Sequence, residues 1–259
     1  MTIAQLHHLR QGQGPVLVLS HALGCDLTMW DGVAQCLEHK YTVLRFDHRG
    51  HGLSPVPPGP YTIEMMADDA AALIRAQCDQ PVHFAGLSMG GMTAQALACR
   101  HPELLRSIII ANSASAYDDA AQAMWASRIK TVLDQGVAAI AEGAMQRWFT
   151  PAFRSDQTHG GALKVARLRE RLERIPPGAY AAACGAVAAI DFRSSNPGIA
   201  CPSLVIAGTL DEATPVSASR QMVAEIPGAR LCTIDAAHLS AVERPAEFAQ
   251  LLDNFVSAL

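Results

Sequence analysis

The sequence has little of what marks a membrane, secreted or nucleic-acid-binding protein. None of the apolar stretches in its 259 residues is long enough to form a membrane-spanning helix. A formal net charge of -4 gives no cationic excess for binding nucleic acid or an anionic membrane. Residues 1–14 show no cleavable signal pattern, because His7, His8, Arg10 and Gln11 interrupt the place of an apolar segment. We therefore expect a cytoplasmic protein whose partner is neither nucleic acid nor membrane.

The sequence also lacks any pairing pattern among its cysteines. The 7 cysteines are scattered and include no C-x-x-C, so neither a disulfide framework nor a zinc site is expected. His48 and His51 beside Asp47 resemble metal ligands, but the neighbouring glycines favour a tight loop after a strand. The prediction is that the protein holds no metal and needs no organic cofactor.

What the sequence does have is a series of short apolar runs that alternate with segments of helical spacing. Such runs are typical of parallel strands covered on both faces. The predicted strands are an edge strand at 3–10, then 16–19, 41–46, 81–85, 106–110, 203–207 and 229–234. The predicted helices of the same pattern are 30–38, 63–78, 92–100, 216–226 and 245–258. This alternation predicts an α/β fold with a mostly parallel central sheet and helices on both faces.

The pattern changes between residues 115 and 196. Strand-like runs stop there, and alanine, arginine and amphipathic spacing predominate. We predict a helical cap insertion over 115–196, which leaves a core domain made of residues 1–114 and 197–259. The length suits one α/β domain with such an insertion.

The segment Gly86-Leu87-Ser88-Met89-Gly90 has the G-x-S-x-G pattern of a nucleophile elbow. An apolar run precedes it and a helical segment follows it, which is the context that the motif requires. Glycines on both sides remove Cβ atoms that would collide in so sharp a turn. The helix that follows directs free N–H groups at any oxyanion formed there. The alternative is a strand-to-helix turn with a buried serine that has no catalytic role.

A serine nucleophile needs a base, and the base needs an acid that orients it. Asp211 follows the predicted strand at 203–207, and His238 follows the strand at 229–234. Both come after Ser88 in the chain order that this arrangement requires. Taken alone, Asp211 could be a surface turn residue and His238 a solvated loop residue. Glu212 is the alternative acid, and the three residues together predict a catalytic triad of Ser88, His238 and Asp211.

An oxyanion hole needs two backbone N–H donors aimed at one point. Met89, directly after the nucleophile, is predicted to supply one. Leu23, in the loop after the strand at 16–19, is predicted to supply the other. His21 in the same loop is interpreted as a structural hydrogen-bonding residue.

These segments make the chain resemble the α/β-hydrolase fold superfamily over nearly its whole length. More narrowly, it is similar to the 3-oxoadipate enol-lactonases of bacterial aromatic catabolism. Three departures from that group are the short lead-in before Val16, the pair His21-Ala22, and the alanine-rich stretch 179–189. The segments that carry the resemblance are 19–26 with Met29-Trp30, 44–52, 59–64, 86–91, Arg147-Trp148-Phe149-Thr150, and 238–240 with Glu243-Arg244.

The resemblance implies a serine hydrolase of the β-ketoadipate pathway that cleaves 3-oxoadipate enol-lactone or a similar small lactone or ester. Such a substrate carries a carboxylate, so the pocket should offer a cation. The implied substrate-binding candidates in the insertion are Trp148, Arg147, Trp125, Arg128 and Arg193. No cofactor is implied, and the choice between monomer and homo-oligomer is left open.

Other activities on this scaffold stay open at the level of sequence. A general carboxylesterase, a carbon–carbon bond hydrolase of ring-cleavage products and a cofactor-free perhydrolase would all show the same triad. A non-catalytic small-molecule receptor is a further alternative, which an unreactive Ser88 would favour.

Overall fold

A seven-stranded sheet forms the centre of the structure, a computed structural model that describes residues 3–259. In chain order its strands are β1 (His8–Gln11), β2 (Val16–Ser20), β3 (Thr42–Phe46), β4 (Val82–Leu87), β5 (Leu105–Ala111), β6 (Ser203–Gly208) and β7 (Arg230–Ile234). Across the sheet the order is β1-β3-β2-β4-β5-β6-β7. Among the strand pairs of this sheet in residues 3–259, β1 with β3 is antiparallel and the others are parallel. The mostly parallel sheet predicted from the apolar runs is confirmed.

The strands that read as continuous apolar runs are the ones covered on both faces. Every residue of β3, β4 and β6 is buried, and β2 is buried from its second residue onward. The edge strand differs, because β1 is half exposed and pairs on one side only. It begins at His8, whereas the predicted edge strand begins at residue 3.

Helices connect the strands and pack against one another in pairs. The first, α1, packs against the last, α11, while α2 packs against α3. Thr62 caps α2, since its Oγ1 accepts the Met65 N–H at 3.2 Å. The helices are α1 (Asp31–Leu37), α2 (Ile63–Gln77), α3 (Met89–Arg100), α4 (Asp119–Gln135), α5 (Ala138–Trp148), α6 (Pro151–Ser155), α7 (Gly161–Glu173), α8 (Pro177–Ala188), α9 (Val216–Glu225), α10 (Ser240–Glu243) and α11 (Pro245–Val256).

The inserted region consists of helices α4 to α8, as the change of pattern after residue 115 predicts. The chain enters and leaves it side by side. The Phe192 N–H donates to the Ser115 carbonyl at 2.7 Å, and Ala116 forms an isolated antiparallel bridge with Asp191. The division into a core domain and a cap domain at these residues stays a prediction.

In residues 3–259, no helix has the length and apolar character needed to cross a membrane.

Parallel strands end at the same edge of the sheet, and that edge gathers the loops of interest. Ser88 follows β4 directly, Asp211 comes after β6, and His238 comes after β7. Leu23 lies in the loop that leaves β2. The topology therefore brings four segments that are distant in sequence to one end of the sheet.

Candidate active site

Ser88 occupies a sharp turn between β4 and α3. Its backbone has φ 57° and ψ -115°, a conformation that residues other than glycine seldom adopt. The turn brings backbone atoms so close to Gly86 and Gly90 that neither residue has room for a side chain. A Cβ on Gly86 would lie 2.0 Å from the Gly90 carbonyl oxygen, and a Cβ on Gly90 would lie 2.1 Å from the Ser20 carbonyl oxygen. Only glycine fits at either position, so the G-x-S-x-G spacing fixes the nucleophile elbow geometry.

The side chains of Ser88, His238 and Asp211 form one hydrogen-bonded line. The Ser88 hydroxyl donates to His238 Nε2, with 3.0 Å between Oγ and Nε2. On the other side of the ring, His238 Nδ1–H donates to Asp211 Oδ2 at 2.9 Å. The carboxylate can only accept, which assigns the proton to Nδ1 and leaves Nε2 as the acceptor. In this tautomer the imidazole can take a proton from the serine.

Asp211 is buried and yet fully supplied with hydrogen-bond donors. Its Oδ1 accepts the backbone N–H groups of Ala213 and Thr214, at 2.8 Å and 3.0 Å. Its Oδ2 accepts the Thr214 hydroxyl at 2.7 Å and the Asn112 amide at 2.9 Å, besides His238. Burial raises the pKa of this carboxyl, but the charge of His238 and the hydrogen bonds outweigh burial and lower the pKa to about 2. Asp211 is therefore ionised at neutral pH.

Met89 and Leu23 lie beside Ser88, and each carries a backbone N–H group. Met89 is the first residue of α3, so its N–H has no partner inside the helix. Leu23 lines the same cavity as Ser88. The loop that carries Leu23 is held from below by His51, whose Nε2 accepts the Gly24 N–H at 3.2 Å. These are the two amides that the sequence predicts for the oxyanion hole.

The buried histidines His21, His48 and His51 form a packed cluster beneath this loop. His21 Nδ1–H donates to the Ala22 carbonyl at 2.8 Å, and its Nε2 accepts the His48 N–H at 2.9 Å. Burial lowers the pKa of all three, that of His51 to about 3, so the rings are neutral at pH 7. Among residues 3–259, no group of three or more His, Cys, Asp or Glu side chains is arranged to hold a metal ion. The three rings hold two loops in place.

A small cavity of about 40 Å³ opens over Ser88 and His238, beneath the inserted helices. Its walls come from the core loops and from α4 and α5, which together mix apolar and cationic side chains. Four of the five predicted substrate-binding residues lie there. The lining residues are Leu23, Ser88, Tyr117, Met124, Trp125, Arg128, Arg147, Trp148, Ala213, Thr214 and His238.

Arg193, the fifth candidate, lies outside the cavity, and the prediction that it binds substrate is not supported. Its side chain is exposed and forms an ion pair with Asp191 at 2.6 Å. That pairing between residues two positions apart holds the guanidinium on the surface. Glu212, the alternative acid, is exposed, whereas the neighbouring Asp211 is buried.

Three polar residues of the site were not among the sequence candidates. Tyr117 lines the cavity, and Thr214 and Asn112 both donate to Asp211. Asn112 directly follows β5, so the rule that functional side chains follow the ends of parallel strands could have identified it. Tyr117 and Thr214 carry no comparable signal in the sequence.

Comparison with known proteins places the chain among hydrolases. Residues 15–245 match the family model of the alpha/beta hydrolase fold. The 3-oxoadipate enol-lactonase 2 of Acinetobacter baylyi is 37% identical over 238 residues, which cover 92% of this chain and 87% of that protein.

Solved structures agree with this. The crystal structure of the enol-lactonase from Burkholderia xenovorans LB400 superposes with a TM-score of 0.92 at 34% identity, covering 98% of this chain and 97% of that one. A thermophilic esterase from Thermogutta terrifontis, solved with malate bound, gives a TM-score of 0.90 at 29% identity, covering 98% and 94%. The predicted resemblance is confirmed: the chain belongs to the alpha/beta hydrolase fold family, and its relatives in that family include enol-lactonases and esterases.

Proposed function

We propose that the protein is a serine hydrolase that opens a small, carboxylate-bearing lactone such as 3-oxoadipate enol-lactone, using Ser88, His238 and Asp211. One observation carries the proposal, namely the hydrogen-bonded line from Ser88 Oγ through His238 to Asp211 Oδ2, with distances of 3.0 Å and 2.9 Å. A binding protein has no need of a base aligned on a serine hydroxyl.

The reaction runs in two halves. His238 Nε2 takes the proton as Ser88 Oγ attacks the lactone carbonyl, and the Leu23 and Met89 N–H groups bind the oxyanion that forms. The ring C–O bond then breaks, the leaving oxygen receives the proton from His238, and the acyl group stays on Ser88. Water, deprotonated by His238, releases the acid and restores the serine. Asp211 keeps the imidazole in the required tautomer and stabilises its cation throughout.

The two arginines of the cavity favour an anionic substrate. Arg128 packs over the Trp125 ring, with its guanidinium carbon 5.3 Å from the ring centre, and donates to the Tyr180 hydroxyl at 3.4 Å. Arg147 contacts the Met124 sulfur at 3.4 Å. In the described residues neither arginine forms an ion pair with a carboxylate, while most other arginines do. A substrate carboxylate would supply the missing partner.

The substrate preference is tested with two substrates, the carboxylate-bearing enol-lactone and a neutral aryl acetate. Arg128→Met should raise KM for the lactone about tenfold or more, since a charged hydrogen bond is lost, and should leave turnover of the acetate within twofold. Arg193→Met is the matched control, because it removes the same side chain from a surface site. A wild-type enzyme that prefers the acetate would contradict the lactonase proposal.

Catalysis by Ser88 is tested separately. Ser88→Ala should lose about 10⁴-fold or more in kcat on every ester, because no other group in the scheme can form the acyl-enzyme. Retention of full activity by this variant would refute the whole mechanism.

A general carboxylesterase is the second candidate, favoured by the similarity to the Thermogutta terrifontis esterase. It uses the same residues and differs only in the acyl group accepted. Equal kcat/KM for the acetate and the lactone, with no effect of Arg128→Met on either, would support it. A carbon–carbon bond hydrolase or a perhydrolase would be recognised by its products, a cleaved diketone or a peracid.

A further inference from the structure

The side chain of Asn112 occupies the middle of the catalytic edge of the sheet. It directly follows β5, which lies between the strand that leads to Ser88 and the strand that leads to Asp211. It is fully buried, and its backbone has φ 46°, in the left-handed region. Asparagine is among the few residues that tolerate this conformation.

Both polar atoms of the Asn112 amide form hydrogen bonds, and every partner lies in the segment that follows β6 or in the segment that follows β7. Nδ2 donates to Asp211 Oδ2 at 2.9 Å and to the Ala237 carbonyl at 3.4 Å. Oδ1 accepts the Ser240 hydroxyl at 2.6 Å. Asp211 can only accept, so the amide nitrogen must face it, and donation from Ser240 to the oxygen fixes the same orientation. The amide ties the loop of the acid to the loop of the base.

We propose that Asn112 is a positioning residue that, together with Ser240, holds Asp211 Oδ2 against His238 Nδ1 and keeps the carboxylate a weak base. The inference rests on the proposed function, because Asn112 acts only through the triad. A hydrogen bond donated to a carboxylate stabilises its charged form. Without it, Asp211 would be more basic and would hold the imidazolium form of His238 more strongly. The enzyme would then need a higher pH before His238 could act as a base.

The groups around Asp211 and His238 determine whether this effect can be measured in the pH dependence of kcat/KM. The titratable or charged groups that face or adjoin the Asp211–His238 pair are Tyr117, Arg128, Arg147 and Glu243, which accepts the Ala237 N–H. Burial raises the pKa of Tyr117 and the pKa of Glu243 above their ordinary values, and arginine stays charged. Because Glu243 is the same in wild type and in the variants below, a difference in the midpoint between them is assigned to the Asp211–His238 pair.

The experiment compares Asn112→Gly with wild type on a neutral aryl acetate across pH 5 to 9. Glycine accepts the left-handed backbone, so the variant removes the amide without adding strain. We expect kcat to fall about tenfold with KM within twofold, and the midpoint of the rising limb of kcat/KM to move to higher pH. The rate at which a fluorophosphonate labels Ser88 should fall in parallel.

Asn196→Gly is the matched control. Asn196 is also fully buried and hydrogen-bonded, to Gln95 and Glu225, but it lies away from the triad. It should lower Tm and leave the midpoint where it is in wild type. If Asn112→Gly also keeps the wild-type midpoint, or loses activity only in proportion to its loss of Tm, then Asn112 is merely structural and the proposal fails.

Asn112→Ala provides a second variant, in case the glycine variant does not fold. It removes the amide and keeps a Cβ, so the midpoint should again move to higher pH, whereas Asn254→Ala on the surface of α11 should leave it unchanged. An unmoved midpoint in Asn112→Ala would overturn the proposal. Ser88→Ala separates the two levels of inference. If it is inactive while Asn112→Gly behaves as wild type, only the role of Asn112 is refuted; if it is active, the triad itself is.

Discussion

Replacing Asp211 by asparagine changes one atom and should abolish catalysis through the tautomer of His238. The amide oxygen of the variant must stay on the backbone N–H groups of Ala213 and Thr214, which cannot turn. The amide NH₂ then replaces Oδ2 and faces three donors, from Thr214, Asn112 and His238. The imidazole can accept from it only by moving its own proton to Nε2. That nitrogen then points a proton at Ser88 and cannot remove one, so we expect kcat to fall about 10⁴-fold.

The same substitution should reduce stability in a pH-dependent way. The pKa of Asp211 is lowered from 3.8 to about 2, and each pKa unit corresponds to about 1.36 kcal/mol. The ionised carboxyl therefore contributes about 2 kcal/mol to the free energy of unfolding at neutral pH. Because the pKa is lower in the folded state, this contribution is fully present above about pH 4 and is lost as the pH falls towards 2. The stability gap between wild type and Asp211→Asn should narrow over that window.

Steady-state kinetics on an aryl acetate and urea unfolding at pH 7 and at pH 3 measure the two effects. Asp235→Asn and Glu212→Gln are the controls, since both are exposed carboxylates beside the site. Both should keep activity near that of wild type. The reasoning is refuted if Asp211→Asn keeps more than a tenth of the wild-type kcat, or if either control loses as much as Asp211→Asn.

Two further substitutions test the scaffold. Gly90→Ala puts a Cβ 2.1 Å from the Ser20 carbonyl oxygen, so it should destabilise the fold by about 3 kcal/mol in urea unfolding and reduce the labelling of Ser88; a variant as stable as wild type would contradict the close approach. Thr62→Ala removes the side-chain cap on the Met65 N–H and should reduce the free energy of unfolding by about 1 kcal/mol with kcat unchanged; an unaltered Tm would mean that the cap contributes nothing.

Most of the sheet was predictable because a strand that is buried on both faces has a continuous run of apolar residues in its sequence. The run predicted at 203–207 corresponds to β6, Ser203–Gly208, all of it buried. The edge strand was harder to bound. Residues 8–11 alternate weakly and are partly exposed, and their place depends on antiparallel pairing with β3, more than thirty residues away. Local pattern carries no information about such a partner.

The hydrogen-bonded line of Ser88, His238 and Asp211 could be predicted because each residue follows a strand in a motif or in a required chain order. Asn112 also follows a strand, but its role depends on the strand order β4-β5-β6, which sequence alone does not provide.

The arginines show a similar limit. Spacing gives the face of a helix and not what that face contacts, so Arg128 in the cavity and Arg193 on the surface looked equivalent. The acidic neighbour of Arg193, Asp191, was the available sign that its charge is already paired.

The departures from the enol-lactonase pattern alter the scaffold and leave the cavity walls alone. His21, one residue of the departing pair His21-Ala22, uses both ring nitrogens in hydrogen bonds to backbone groups of the loops. The alanine-rich stretch belongs to α8. In this helix Ala182 packs closely against Gly59, since a Cβ added to Gly59 would lie 2.9 Å from the Cβ of Ala182. Small side chains thus let α8 lie directly on a core loop. In the described residues none of 179–189 lines the cavity over Ser88, whereas side chains of α4 and α5 do.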